Sequence, residues 1–168
     1  MVNKRHRNAA SGRFAAARDA EADPERHVAE RVREPVSVSI EWMSPHFMKV
    51  HLHGTGIVLH RFTAADGPDS APHDHPFGAD IRILHGGYVE QIFDVSRPHD
   101  PPREIERREG DRFHNEAGTV HRIIRLLDGE TWTEFRPGPH ERKSGFYEFR
   151  EDGVWHRHWD EPEFKPLT

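Results

Sequence analysis

His73-Asp74-His75, at the centre of the stretch Pro72–Pro76, is the first half of the pattern that decides the fold. The second half is the stretch GDRFHNEAGTVH at residues 110–121, which ends in His121. Two histidines at positions i and i+2 of an extended segment point to the same side, and a third beside another strand can complete a pocket. Three imidazoles suit iron, zinc, nickel or copper and leave open positions for water or substrate. The pattern predicts a catalytic metal site inside a β-barrel.

Length and composition restrict the chain to one small barrel. It has 168 residues, of which 34% are hydrophobic and 32% charged, and this supports one compact core under a very polar surface. The formal net charge of −5 gives no support to nucleic-acid binding. The absence of cysteine excludes disulfides and thiolate chemistry and fits a cytoplasmic location. No apolar run is long enough for a membrane helix or a signal peptide, so no membrane partner is expected.

The first 34 residues differ from the rest of the chain. They are rich in Ala, Arg, Asp and Glu and poor in large apolar residues, which predicts a flexible charged arm over residues 1–34. Asp23-Pro24 could begin a short solvated helix within this arm. A basic tail for an anionic partner is the alternative, but acidic residues follow the basic ones closely. The barrel is predicted over residues 35–168.

Short runs with a two-residue period follow from residue 35 onward, separated by Gly, Pro and Asp. Gly86-Gly87 and Asp128-Gly129 are typical of turns that join antiparallel strands in hairpins. About ten short strands without a strong internal helix predict an all-β antiparallel sandwich or jelly-roll barrel.

The two half-patterns resemble the paired signature of the cupin superfamily. The matching residues are His73, His75, Asp80 and Gly86 in the first half and Gly110, Gly118 and His121 in the second. Asp80 stands where Glu is usual, and Glu116 stands where Pro is usual. The wider sequence resembles small phage and bacterial cupin-like proteins of unknown activity, except that Phe77-Gly78 replaces their usual Trp-Asp. The resemblance implies a double-stranded β-helix (jelly-roll) barrel.

The resemblance also implies one divalent transition metal per chain, held by His73, His75 and His121. Asp80 is either a fourth ligand or a turn or surface carboxylate. Fe(II) is favoured because some cupins, such as the thiol dioxygenases, bind iron through three histidines, and zinc, nickel or manganese remain open. Two other pairs with the same spacing, His51/His53 and His156/His158, show that part of the pattern follows from the 15 histidines in the chain.

Three further residues are candidates for contact with a small-molecule substrate. Strand alternation puts Arg125 on the face of His121, and Arg61 lies on the strand before the first motif. A guanidinium beside a metal can bind a carboxylate or phosphate through its two-donor fork, so both arginines predict an anionic substrate. Their alternative is a surface or packing role. Tyr88 is the candidate catalytic residue, as a hydrogen-bond donor or acid.

Three functions are compatible with this pattern. The first is a mononuclear non-haem iron enzyme of the dioxygenase type, in which substrate and O₂ meet at adjacent open positions. The second is a metal-dependent isomerase or epimerase of a sugar or keto acid, in which Tyr88 or a histidine moves a proton. The third is a non-catalytic small-molecule-binding protein, because one fold hosts many chemistries. A homodimer would cover the edge strands of the barrel.

Overall fold

The protein is described by a computed structural model that covers residues 36–67 and 69–167. The charged arm predicted at residues 1–34 lies outside these ranges. The described residues form strands joined by turns and loops and contain no α-helix. No helix that could cross a membrane is present in the described part of the chain.

Twelve strands are present in these residues. They are β1 (Val38–Ser44), β2 (Phe47–Leu52), β3 (Ile57–Phe62), β4 (Ala79–His85), β5 (Gly87–Phe93), β6 (Arg103–Arg108), β7 (Arg112–Asn115), β8 (Val120–Leu126), β9 (Thr131–Pro137), β10 (Gly145–Arg150), β11 (Gly153–His158) and β12 (Lys165–Pro166).

The strands are arranged in two layers. The first layer is a six-stranded sheet in the order β1-β2-β3-β9-β4-β7, and the second contains β6-β5-β8 and β10-β11-β12. His73 connects the two parts of the second layer, because it forms isolated bridges to His121 of β8 and to Phe146 of β10. A residue that belongs to no named strand therefore completes the second sheet.

The chain alternates between the layers as it winds. In the first layer β3 pairs with β9, β9 with β4, and β4 with β7. The second layer repeats this arrangement, because the His73 segment pairs with β8, β8 with β5, and β5 with β6. This winding defines a jelly roll, or double-stranded β-helix. The fold class predicted from the sequence is confirmed.

The two predicted hairpins are wrong. Gly86-Gly87 joins β4 to β5, and Asp128-Gly129 joins β8 to β9, but neither pair of strands is hydrogen-bonded to each other. Both connections cross from one layer to the other. Gly86 and Gly129 do adopt the left-handed conformation, each with φ of 70°. The glycine dipeptides therefore predicted the backbone angles of the turns correctly. Which strands pair depends instead on the winding of the whole jelly roll.

The core lies between the layers. Ile83 of β4, Tyr88 of β5 and Ile123 of β8 form one buried cluster, so side chains from both layers meet there. Along β4 the buried residues Ala79, Ile81 and Ile83 alternate with more exposed ones. This two-residue period decides which side chains of the strand can reach the interior.

Replacing Gly86 by alanine should destabilise the protein strongly. A Cβ at Gly86 would overlap the carbonyl oxygen of Glu130, whereas a Cβ at Gly129 meets nothing within 4 Å. Because both residues have φ of 70°, Gly129→Ala measures the conformational effect alone. We expect Gly129→Ala to lower the free energy of unfolding by about 1 kcal/mol and Gly86→Ala by about 3 kcal/mol or more. Equal losses in urea unfolding would contradict this account.

Candidate metal centre

His73 and His121 form a directly paired couple in the second layer. The backbone N–H of each donates to the carbonyl oxygen of the other, and both N···O distances are 2.9 Å. Residues that exchange both backbone bonds lie directly opposite each other and present their side chains on the same face. The backbone alone therefore brings together two histidines that are far apart in the sequence.

His75 joins this couple from the same extended segment as His73. Its backbone N–H donates to the carbonyl of Ala117 at 3.0 Å, which fixes the segment two residues further along. The Nε2 atoms of His75 and His121 are 2.9 Å apart. One ring nitrogen from each of His73, His75 and His121 lies within 4.8 Å of the other two. The three predicted ligands do converge.

The protonation of the cluster fits a metal site. Burial lowers the pKa of His73 to about 3 and the pKa of His75 well below its usual range, and the neighbouring His121 adds to both shifts. Both rings are therefore neutral near pH 7 and have a lone pair free for coordination. Imidazole nitrogens are suitable ligands for iron, zinc, nickel and copper, so the donor set fits a divalent transition metal.

A buried ion pair orients the ring of His121. The Nδ1 atom of His121 donates to Glu90 Oε2 at 2.9 Å, and Arg107 Nε donates to Glu90 Oε1 at 2.7 Å. Burial raises the pKa of the fully buried Glu90, but the hydrogen bonds and charges of His121 and Arg107 outweigh it and lower the pKa. Since an ionised carboxylate only accepts, His121 carries a proton on Nδ1 and directs Nε2 towards the other histidines.

Asp74 anchors the ligand segment from its opposite side. Its Oδ1 accepts the backbone N–H of Gly145 at 2.7 Å, and its Oδ2 accepts the hydroxyl of Tyr147 at 2.8 Å. Arg142 NH2 lies 3.1 Å from the same Oδ2. The side chain thus points away from the imidazoles, as alternation along the strand predicts, and it ties the segment to β10.

Asp80 is not brought to the three histidines. Its side chain is 75% exposed, and its Oδ1 accepts from His114 Nδ1 at 2.7 Å. The neighbours Ala79 and Ile81 occupy the inward positions of β4, so strand alternation turns Asp80 to the outer face. The geometry supports the surface-carboxylate alternative over a fourth ligand.

Neither arginine predicted as an anion clamp reaches the site. Arg61 Nε donates to Glu130 at 2.8 Å, because the inward positions of β3 are held by His60 and Phe62. The side chain of Arg125 is 61% exposed and lies 4.0 Å from Glu106. The register of β8 against β5 shifts between the partners of Arg125 and Ile123, so a β-bulge there reverses the alternation used to predict its direction.

The three histidines line a cavity of about 90 Å³ between the layers. Its other walls are mainly aromatic and aliphatic, and the lining residues are Phe47, His60, Phe62, Asp66, Ile81, Tyr88, Ile123, Thr133 and Phe135. Tyr88 thus lies in the cavity, as a candidate catalytic residue must. No arginine or lysine of the described residues lines it.

Sequence reasoning missed Glu90 and His60. Glu90 is fully buried in the middle of β5, and the sequence signal was a single charged residue in the otherwise uncharged run Gly87–Phe93. His60 is 9% exposed and stacks on Phe135 with ring centroids 4.6 Å apart. Its alternation with Phe62 on β3 could have placed it on the inward face.

The other two histidine pairs are engaged elsewhere. His51 bonds Glu41 at 2.9 Å, and His53 bonds Ser39 at 2.8 Å, both near the exposed edge strand β1. His156 and His158 contact each other edge to face, with ring centroids 4.7 Å apart. Among the described residues only the cluster of His73, His75 and His121 gathers three metal-ligating side chains.

The strand pairing and the two histidine segments on facing positions agree with the family resemblance of the sequence. The fold is cupin-like. No protein-family model matches the sequence, and no curated protein matches it either.

Solved structures with a similar fold belong to proteins of different kinds. The hydroxypropylphosphonic acid epoxidase from S. wedmorenis matches with a TM-score of 0.46 and 15% identity over 60% of this chain and 55% of that chain. The capsular polysaccharide assembling protein CapF from Staphylococcus aureus matches with a TM-score of 0.48 and 12% identity over 62% and 29%. The CENP-C cupin domain of Drosophila melanogaster matches with a TM-score of 0.46 and 9% identity over 70% and 100%. The chain spans little more than half the length of the epoxidase.

Replacing Glu90 by glutamine should weaken metal binding without removing a ligand. A neutral amide holds the Nδ1 proton of His121 less firmly, and the loss of such a partner typically lowers metal affinity by about 10- to 100-fold. Affinity can be measured by competition with a chromophoric chelator. Glu104→Gln is the matched control, because Glu104 lies on the neighbouring strand β6 and its exposed carboxylate accepts from Gln91. Unchanged affinity in Glu90→Gln would contradict the assigned role.

The stability of the metal-free protein should fall as the pH is lowered from neutral. Burial lowers the pKa of both His60 and His73 to about 3, whereas unfolded histidine titrates near 6.5. The unfolded state therefore binds more protons between pH 6.5 and 3, and each histidine contributes a loss of about 1.4 kcal/mol per pH unit. Urea unfolding at several pH values measures the slope. His60→Phe should reduce it by one histidine's share, and an unchanged slope would refute the assignment.

Proposed function

We propose that this protein is a mononuclear metal-dependent oxygenase of the dioxygenase type, with Fe(II) held by His73, His75 and His121. The observation that carries the proposal is the convergence of three buried ring nitrogens within 4.8 Å at the wall of a small apolar cavity. Three protein ligands leave coordination positions open for reactants. Fe(II) in such a site supplies the ability to react with O₂, which side chains lack.

The protein's own residues prepare this site in two ways. Glu90 and Arg107 hold the ring of His121 in one tautomer and orientation, so the ligand set is formed before the metal arrives. The rings of Phe47, Phe62 and Phe135 line the cavity and exclude bulk water from the reacting groups. These rings would therefore keep a bound substrate out of contact with solvent.

The isomerase alternative needs a side chain that exchanges protons near neutral pH. Burial raises the pKa of Tyr88 further above its ordinary value, and burial lowers the pKa of His60 to about 3. An efficient acid or base catalyst has a pKa near the working pH, which Tyr88 and His60 lack. The carboxylate of Asp66, which also lines the cavity, already accepts the backbone N–H of Ile123. We therefore favour oxygen chemistry over proton transfer, with Tyr88 as a hydrogen-bond donor to substrate.

Metal analysis and oxygen uptake test the proposal on untagged protein. We expect about one iron per chain after anaerobic reconstitution and oxygen consumption with a member of a panel of small organic molecules. His75→Ala should lose both the metal and the oxygen consumption. His53→Ala is the matched control, because His53 occupies the same position in a second pair with the same spacing and its side chain bonds Ser39.

The outcomes separate the three functions. Bound zinc or manganese with turnover but no oxygen uptake would replace the oxygenase with the isomerase. Stoichiometric metal without any turnover would favour the non-catalytic binding protein. Retention of stoichiometric metal by His75→Ala would overturn the site itself.

A further inference from the structure

The cavity contains three buried polar side chains that have no protein partner. His60, Tyr88 and Thr133 are 9%, 3% and 2% exposed, and all three line the cavity. Among the described residues, none of their side chains forms a hydrogen bond. Because these side chains line the cavity, their polar atoms are accessible from it and can bond water or a ligand there. Three such side chains around one cavity indicate a ligand site.

These side chains approach the cavity from both layers. His60 of β3 and Thr133 of β9 lie directly opposite each other in the first layer. Tyr88 comes from β5 in the second layer, where its ring is 6.4 Å from that of Phe62. The ring of His60 also contacts those of Phe47, Phe62 and Phe135. A ligand here meets polar side chains from both layers and apolar rings beside them.

The charges around the cavity do not suit an anion. Its lining includes the carboxylate of Asp66, whose Oδ2 accepts the backbone N–H of Ile123 at 2.8 Å. Burial lowers the pKa of His60 most, and the charge of Lys49 lowers it further, but Lys49 does not line the cavity. Arg61 and Arg125 are paired with acids elsewhere. Apart from the proposed metal ion, an anionic ligand would find a carboxylate and no guanidinium on the cavity wall.

We propose that the cavity binds a small uncharged organic molecule that carries a hydroxyl or carbonyl group, and that His60 and Thr133 hold this group. A neutral imidazole has one donor and one acceptor, and a hydroxyl can serve as either, so the pair can bond an alcohol or a ketone. Tyr88 bonds the ligand from the opposite wall. This assignment rests on the proposed function, because it names the substrate class of the same site. The volume of about 90 Å³ restricts the ligand to a few non-hydrogen atoms.

Two fluorinated probes of nearly equal size test the assignment. Trifluoroethanol is neutral and carries a hydroxyl, whereas trifluoroacetate is an anion. Fluorine NMR titration of the metal-free protein should show saturable binding of trifluoroethanol and none of trifluoroacetate. Both titrations are repeated with zinc-loaded protein, which should show the same preference for trifluoroethanol.

Conservative variants identify the residues that hold the probe. Thr133→Val and Tyr88→Phe remove a hydroxyl with little change of shape, and each should weaken trifluoroethanol binding by about three- to tenfold. His60→Phe keeps a ring at its position and should have a similar effect. Arg61→Gln is the control, because Arg61 bonds Glu130 away from the cavity, and it should bind both probes as the wild type does.

The results distinguish this inference from the proposed function. Saturable binding of trifluoroacetate as tight as that of trifluoroethanol would overturn the uncharged substrate class. Wild-type affinity for trifluoroethanol in all three cavity variants would overturn the assigned residues. A protein that binds trifluoroethanol as predicted but takes up no metal would retain the ligand site and refute the oxygenase.

Discussion

The reciprocal pair of backbone hydrogen bonds between His73 and His121 is the interaction on which the rest of the site depends. It closes the second layer between β8 and β10, and it also sets two metal-ligating side chains on one face. A shift of the His73 segment by one residue against β8 would turn His73 to the other face while His121 kept its own. The same two bonds therefore decide both whether the barrel closes and whether the imidazoles meet. Asp74 supports this register from behind, because its carboxylate holds Gly145 and Tyr147.

The ion pair of Glu90 and Arg107 places two charged groups in the core, where they orient the ring of His121. A carboxylate with no exposed surface is strongly unfavourable unless it is paired and fully hydrogen-bonded. Here one oxygen accepts from Arg107 and the other from His121, and the guanidinium of Arg107 lies 3.7 Å from the ring centroid of Phe113. An apolar pair would pack in the same space, but it could not fix the tautomer of a metal ligand. The arrangement supports a function as well as the fold.

The sequence was sufficient for the fold class and the histidine cluster, because short-range periodicity predicted the strands and the resemblance of two motifs to the cupin signature implied that their histidines meet. Alternation correctly placed Asp74 away from the imidazoles, but for Arg125 a bulge that leaves no mark in the local pattern reversed it. Gly86-Gly87 revealed its turn but not its strand partners, since those depend on the winding of the whole chain. Glu90 escaped notice because its two partners come from strands that pair only in three dimensions.

The way the ligand segments are placed also has a consequence for the order of events during folding. His75 and His121 are 46 residues apart, and the paired strands β5 and β6 lie between the two segments along the chain. Contacts at such separations form slowly, because loop closure must precede any gain from the contact. The cluster of three ring nitrogens therefore forms only once the jelly roll has closed. In a partly folded chain the three histidines are not held close together. Metal binding would therefore follow folding, and metal ions present before the barrel closes would not speed the formation of the site.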